Sequence, residues 1–103
     1  KRWILHAGVD FGASYGTSIK STNAGVVIYS GTMSGYGNVV IVDHGNSVTS
    51  LYAHMSSIAV GYGSHVGRGQ TVGYVGSTGN VTGPHLHFEI RKNGTPVNPF
   101  NYI

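Results

Sequence analysis

Apolar and polar residues alternate most regularly at residues 85–90, where Leu86, Phe88 and Ile90 fall in one register and His85, His87 and Glu89 in the other. A period of two is that of a half-buried strand, and it places two imidazoles and a carboxylate on the open face. Residues 38–42, with Val39, Val40, Ile41 and Val42 in succession, form the clearest strand, and 24–29 and 71–75 read as further strands. Gly73 interrupts the last of these, marking a place where another backbone or side chain packs closely. Asp43, His44, Gly45 and Asn46 supply turn chemistry before β-type composition resumes at Ser47, which predicts a hairpin. In the glycine-free run 46–60 two periods compete. Val48, Leu51, Tyr52, Met55, Ile58 and Ala59 fit a helical stripe, whereas the hairpin favours a strand through about His54, followed by a short loop or helical turn. The strand is the expectation.

The remaining segments are connections. Residues 14–23 are polar with a turn at Gly16, 30–37 and 76–83 are glycine-rich loops, and 61–70 is a chain of turns around a short strand. Trp3, Ile4 and Leu5 make residues 1–5 a short apolar and aromatic entry behind Lys1 and Arg2, and the tail from Arg91 is a turn followed by an extended segment whose prolines bar it from a central strand. Seventeen glycines, short strands and no convincing long helix predict an all-β fold of small antiparallel sheets with long loops. At 103 residues the expectation is a single domain spanning 1–103, able to bury roughly two-thirds of its unfolded surface.

Composition narrows the chemistry. Cysteine is absent, so any zinc must be held by His and carboxylate. Charged residues are only 9% of the chain, leaving a surface of Gly, Ser, Thr, Asn and Tyr that suits a secreted protein. The net charge of +3 is scattered, with no basic stripe, which argues against nucleic acid and fits an anionic cell wall better. No apolar run is long enough for a membrane span and no charged-then-apolar leader opens the chain. The expectation is a mature or excised domain, or a chain never exported.

Histidines carry the candidate chemistry. Alternate rings of a strand lie roughly 6.5–7 Å apart, so His85 and His87 suit one metal ligand and one catalyst better than two ligands of one small ion. His6 and Asp10 stand four apart, but Gly8 and Val9 oppose a helix, and a turn leading into a strand brings ring and carboxylate together. For that pair alone, a metal site and a buried His–Asp hydrogen bond remain equal alternatives. His54, placed at a strand end, enters a cleft or lies in a loop.

His6-x-x-x-Asp10, Tyr52-Ala53-His54-Met55, Val66-x-x-Gly69-Gln70-x-x-Gly73 and Gly83-Pro84-His85-Leu86-His87-Phe88-Glu89 occur in this order over nearly the whole chain. The set resembles the zinc-dependent lysostaphin/LytM-type peptidoglycan endopeptidases, family M23. The resemblance implies a LytM-like core around a central groove, one zinc held by His6, Asp10 and His87, and His54 and His85 as catalytic residues flanking a water. Three such ligands leave the fourth tetrahedral position open, where zinc makes water available as a nucleophile near neutral pH. The implied activity is hydrolysis of peptide bonds in the stem peptides or cross-bridges of peptidoglycan. The expected location is outside the cell, in the wall or periplasm, or on a phage particle, and the expected form is a monomeric domain. Members of the family carry more chain before the first ligand, including a Gly-Arg segment, so a fragment of a longer chain is expected. With no upstream Asn to occupy the open position, an active form is expected.

Other residues receive lesser roles. Glu89 is either a base, as in helical zinc peptidases, or more simply a support for a ligand or a surface group. His44 is read as a support for the site, His65 as a surface residue and Asp43 as a turn former. Two other functions stand beside the enzyme. One is a catalytically inactive module that binds cell wall or activates another hydrolase, which the retention of all five site residues opposes. The other is a biotinyl- or lipoyl-like carrier, which lacks a well-placed Lys.

Overall fold

The computed structural model describes residues 2–4, 8–79 and 83–102. Among these described residues ten strands follow one another: β1 (Arg2–Ile4), β2 (Gly8–Gly12), β3 (Ser18–Lys20), β4 (Gly25–Met33), β5 (Gly37–Gly45), β6 (Val48–Ile58), β7 (His65–Val66), β8 (Thr71–Val75), β9 (His85–Lys92) and β10 (Thr95–Val97). A 3-10 turn, Pro99–Asn101, ends them. All pairings are antiparallel, in the order β1-β2-β9-β6-β5-β4-β7, with β10 on β9 and with β8 linking β6 to β3. The all-β, antiparallel expectation holds. Its several small sheets are joined into one branched hydrogen-bonded network.

The predicted hairpin joins β5 and β6. Its two turn residues, Asn46 and Ser47, have φ of 53° and 63°, the left-handed pair that matches strand twist in two-residue hairpins. Asp43 Oδ1 accepts from Gly45 N at 2.9 Å, so Asp43 is the turn former expected. The 30–37 segment is not a loop. β4 runs on to Met33 and β5 begins at Gly37, leaving only a tight turn between them. The polar stretch 14–23 hides β3, a three-residue strand with one buried side chain, Ile19, too short for a periodic signal.

β6 runs to Ile58, past the predicted end at His54. Its ladder with β5 slips between Asn38 and Val40, and its ladder with β8 slips between Met55 and Ser57. Each bulge inserts a residue and shifts which face the next side chain meets. Tyr52, Met55 and Ile58 therefore all pack on one core despite spacings of three. Two bulges in one strand thus produced the helical-looking stripe.

The main core lies on that face: Ile19, Val27, Val40, Val42, Tyr52, Met55, Val66, Val72, Val75, Phe88 and Ile90. Gly73 sits where expected, since a Cβ there would lie 2.5 Å from Met55 Sδ and 2.8 Å from the Ser57 carbonyl. The opposite face is thinner, with Val39, Leu51 and Ala53 buried beneath Tyr29, Met33, Tyr36 and Ile41. Among the described residues no helix is long and apolar enough to cross a membrane.

Candidate functional site

β9 lies between β2 and β6, and this order assembles the site. Asp10 is the register partner of His87, and His87 is the partner of Ala53. Directly opposed residues of antiparallel strands project to one face, so a carboxylate from the start of the chain meets an imidazole from its end. Asp10 Oδ1 lies 2.6 Å from His87 Nδ1 and 3.6 Å from His85 Nε2. The close approach needs Gly8, whose φ is +90° and where a Cβ would lie 2.3 Å from the Phe88 carbonyl oxygen and 2.7 Å from Glu89 Cγ.

The face expected to be open is largely covered. His87 is 7% exposed and Glu89 is fully buried. The ring of Tyr36 stands 5.7 Å, centroid to centroid, from that of His87. Glu89 is therefore not a surface group. Its Oε2 accepts from Tyr36 Oη (2.9 Å) and His87 Nε2 (2.8 Å), and its Oε1 accepts from Arg91 Nε (2.8 Å) and faces Arg91 Nη2 (2.7 Å).

His54 does not end a strand. It occupies the first bulge of β6, at φ 61°, a left-handed conformation that costs a β-carbon-bearing residue roughly 1–3 kcal/mol. Its backbone N–H donates to the Tyr36 carbonyl at 2.8 Å, and its Nδ1 donates to the Thr78 carbonyl at 2.6 Å. Thr78 is held in turn by Oγ1, which donates to the Met55 carbonyl at 2.8 Å and accepts from Asn38 N at 3.1 Å. The His54 ring lies 5.1 Å from that of His85 and 6.0 Å from that of His87. His85 Nδ1 donates to the Gly83 carbonyl at 3.2 Å. A carbonyl only accepts, so both Nδ1 atoms carry a proton, and in the neutral form of each ring the lone pair is on Nε2.

The electrostatics divide these rings. Burial pushes the His54 pKa below the usual imidazole value, aided by the neighbouring His85 and His87 and opposed by the Thr78 hydrogen bond. Burial also works against a charged His87, but its hydrogen bonds to Glu89 and Asp10, with their charges, outweigh it and raise its pKa. For Glu89, burial favours the neutral acid, yet hydrogen bonds from His87, Arg91 and Tyr36 hold its pKa below the usual value. Burial, followed by the bond to Glu89, raises Tyr36.

The structure thus brings Asp10, His54, His85 and His87 together; His6 lies outside the described residues. Among the described residues no group of three or more His, Cys, Asp or Glu is arranged to hold a metal. The Asp10–His87 pair nonetheless fits zinc in kind. A carboxylate oxygen and an imidazole nitrogen converge, and the other nitrogen of that ring is held by a carboxylate, the arrangement common behind metal-binding histidines. His44 does not support this site. Its Nδ1 donates to the Ala24 carbonyl (2.8 Å) and its Nε2 meets Ser50 Oγ (2.7 Å), which bonds Tyr52 in the main core. His65 is exposed, as expected. Sequence reasoning missed Tyr36 and Arg91. Arg91 follows Glu89 by two residues on one strand face, a legible signal, whereas Tyr36 sits in a turn with no period to reveal it.

Comparison with known proteins bears on this geometry. The model of peptidase family M23 matches residues 4–99. A DD-carboxypeptidase/endopeptidase, Mpg, of Neisseria meningitidis is 48% identical over 97 residues, covering 94% of this chain and 22% of its own length. The murein hydrolase activator EnvC of Escherichia coli is 45% identical over 98 residues, covering 95% of this chain and 23% of its own. The crystal structure of a zinc-containing peptidase from Vibrio cholerae superposes with a TM-score of 0.86 at 38% identity, over 89% of this chain and 28% of that one. The chain therefore spans less than a quarter of the length of these two curated relatives.

Proposed function

The chain belongs to peptidase family M23, and on that premise we propose that it is a zinc metalloendopeptidase cutting peptide bonds in the stem peptides or cross-bridges of bacterial peptidoglycan. It is one catalytic domain of a longer chain, working in the wall or periplasm or on a phage particle. The observation that carries this reading is the 2.6 Å meeting of Asp10 and His87, with His85 at 3.6 Å and the His54 ring beside them.

His6, Asp10 and His87 would hold the zinc. When bound, the metal supplies Lewis acidity that polarises a scissile carbonyl and makes water nucleophilic near neutral pH. His54 and His85 do the proton work. Each is fixed by an Nδ1–H bond to a carbonyl, so each offers the Nε2 lone pair that a general base needs. The depressed pKa of His54 keeps it neutral and ready to accept a proton at pH 7. One of the two takes the proton of the attacking water; the other stabilises the developing oxyanion or protonates the leaving amine.

Digestion of purified walls of several chemotypes, with the fragments weighed by mass spectrometry, tests the activity. Zinc content is measured in parallel, with about one ion per chain expected. His87→Ala is expected to lose both zinc and cleavage; cleavage at the normal rate without zinc would overturn the reading. The 45% identity to an activator of murein hydrolases favours a second reading, a non-catalytic module that activates another enzyme. Retention of His6, Asp10, His54, His85 and His87 supports the enzyme instead. A chain that binds no zinc and releases no fragments, yet stimulates an added wall hydrolase, would favour the activator.

A further inference from the structure

A neutral imidazole can bind a metal through either nitrogen, because its one ring proton can sit on either, and the nitrogen without it is the one left free. Something must decide, and in this chain the deciding contacts lie on the far side of His87. Glu89 is fully buried and accepts on both oxygens. Arg91 occupies Oε1 through Nε and Nη2, at 2.8 and 2.7 Å, so the carboxylate is gripped by a planar fork and cannot swing. Oε2 is left facing Tyr36 Oη and His87 Nε2, at 2.9 and 2.8 Å.

We propose that Glu89, locked by Arg91 and Tyr36, is the positioning residue that commits His87 to bind zinc through Nδ1, an inference that rests on the zinc reading above. With Nε2 engaged as an N–H donor, Nδ1 becomes the free nitrogen, on the side where Asp10 Oδ1 stands. Tyr36 extends the control beyond one ring. Its hydroxyl holds Glu89 while its backbone carbonyl holds His54 N, and its ring lies 5.7 Å from His87 and 6.4 Å from His54. A single residue in the turn between β4 and β5 therefore anchors both the metal side of the site and one flanking imidazole.

Glu89→Gln preserves shape and reverses this logic. Arg91 needs an acceptor, so the amide oxygen turns to it and the amide NH2 faces His87 Nε2. That nitrogen must then carry the lone pair, and the ring proton moves to Nδ1, where the metal should bind.

The test is zinc affinity measured by competition with a chromophoric chelator, alongside a thermal melt and imidazole 15N spectra of the zinc-loaded protein. In the unaltered chain the spectra should report Nδ1 of His87 as the nitrogen carrying the metal. Glu89→Gln should remain folded yet bind zinc roughly 10–100-fold more weakly and lose that signature. Affinity within about twofold of the original, with Nδ1 still carrying the metal, would overturn the proposal and leave the zinc reading standing. An original chain without zinc affinity would overturn both. If Glu89→Gln does not fold, Tyr36→Phe decides. It keeps the ring and removes one hydrogen bond to Glu89, so roughly fivefold weaker binding supports the proposal and unchanged affinity overturns it.

Discussion

His87 and His54 stand 6.0 Å apart, centroid to centroid, yet their surroundings drive them in opposite directions. In the metal-free protein, NMR titration should find His54 changing charge below the ordinary value of 6.5 and His87 above it. The linked stabilities have opposite signs. Because native His54 binds its proton less readily than the unfolded chain does, its contribution is complete above 6.5 and declines as pH falls toward its folded pKa. The His87 contribution is complete below 6.5 and is lost as pH rises through its folded pKa. Coincident titration of the two rings would contradict the assigned contacts. With zinc bound, His54→Ala or His85→Ala should lower kcat by roughly 10²–10⁴ while leaving the metal content unchanged, which separates proton transfer from metal binding. At this scale much was readable beforehand, since Asp10, His54, His85 and His87 were all singled out and do gather. Glu89 was left between base, support and surface, because only neighbours in space reveal its three partners, Tyr36, His87 and Arg91.

β6 carries the second lesson. Its apolar spacing imitates a helix because two bulges change the face of the strand, and no local pattern announces a bulge whose cause is the partner ladder. The first bulge holds His54 at φ 61°, so backbone and side chain pull against each other there. His54→Gly and His54→Ala should both abolish proton transfer, but the glycine variant should be the more stable of the two by about 1 kcal/mol, measured by denaturant unfolding. Equal stabilities would mean that the bulge relaxes. In β8, Gly73→Ala drives a Cβ against Met55 Sδ and the Ser57 carbonyl and should cost about 1–3 kcal/mol. That glycine was legible from sequence, whereas the continuation of β4 to Met33 was not, because Gly31 and the polar residues around it look like a loop until β5 pairs with them.

Across the whole molecule, the proposed metal would tie residues 6 and 10 to residue 87, stitching β2 to its neighbour β9. Removing it with a chelator should lower the thermal midpoint and restoring it should raise it, since zinc at about a thousand times its Kd adds about 4 kcal/mol. A midpoint indifferent to zinc would argue against a site that spans both ends of the chain. By itself the sequence determined the all-β class, a hairpin turning within residues 43–46, one residue short of the observed Asn46–Ser47 turn, the motifs of family M23 and the histidines at issue. These follow from period, turn chemistry and residue type, all of which are local. Only the tertiary structure decided that β9 enters between β2 and β6, that the His87 face is covered by Tyr36, and that Arg91 and Tyr36 grip Glu89. Those outcomes depend on strand order and on bulges, and both are settled by pairing between segments far apart in the chain.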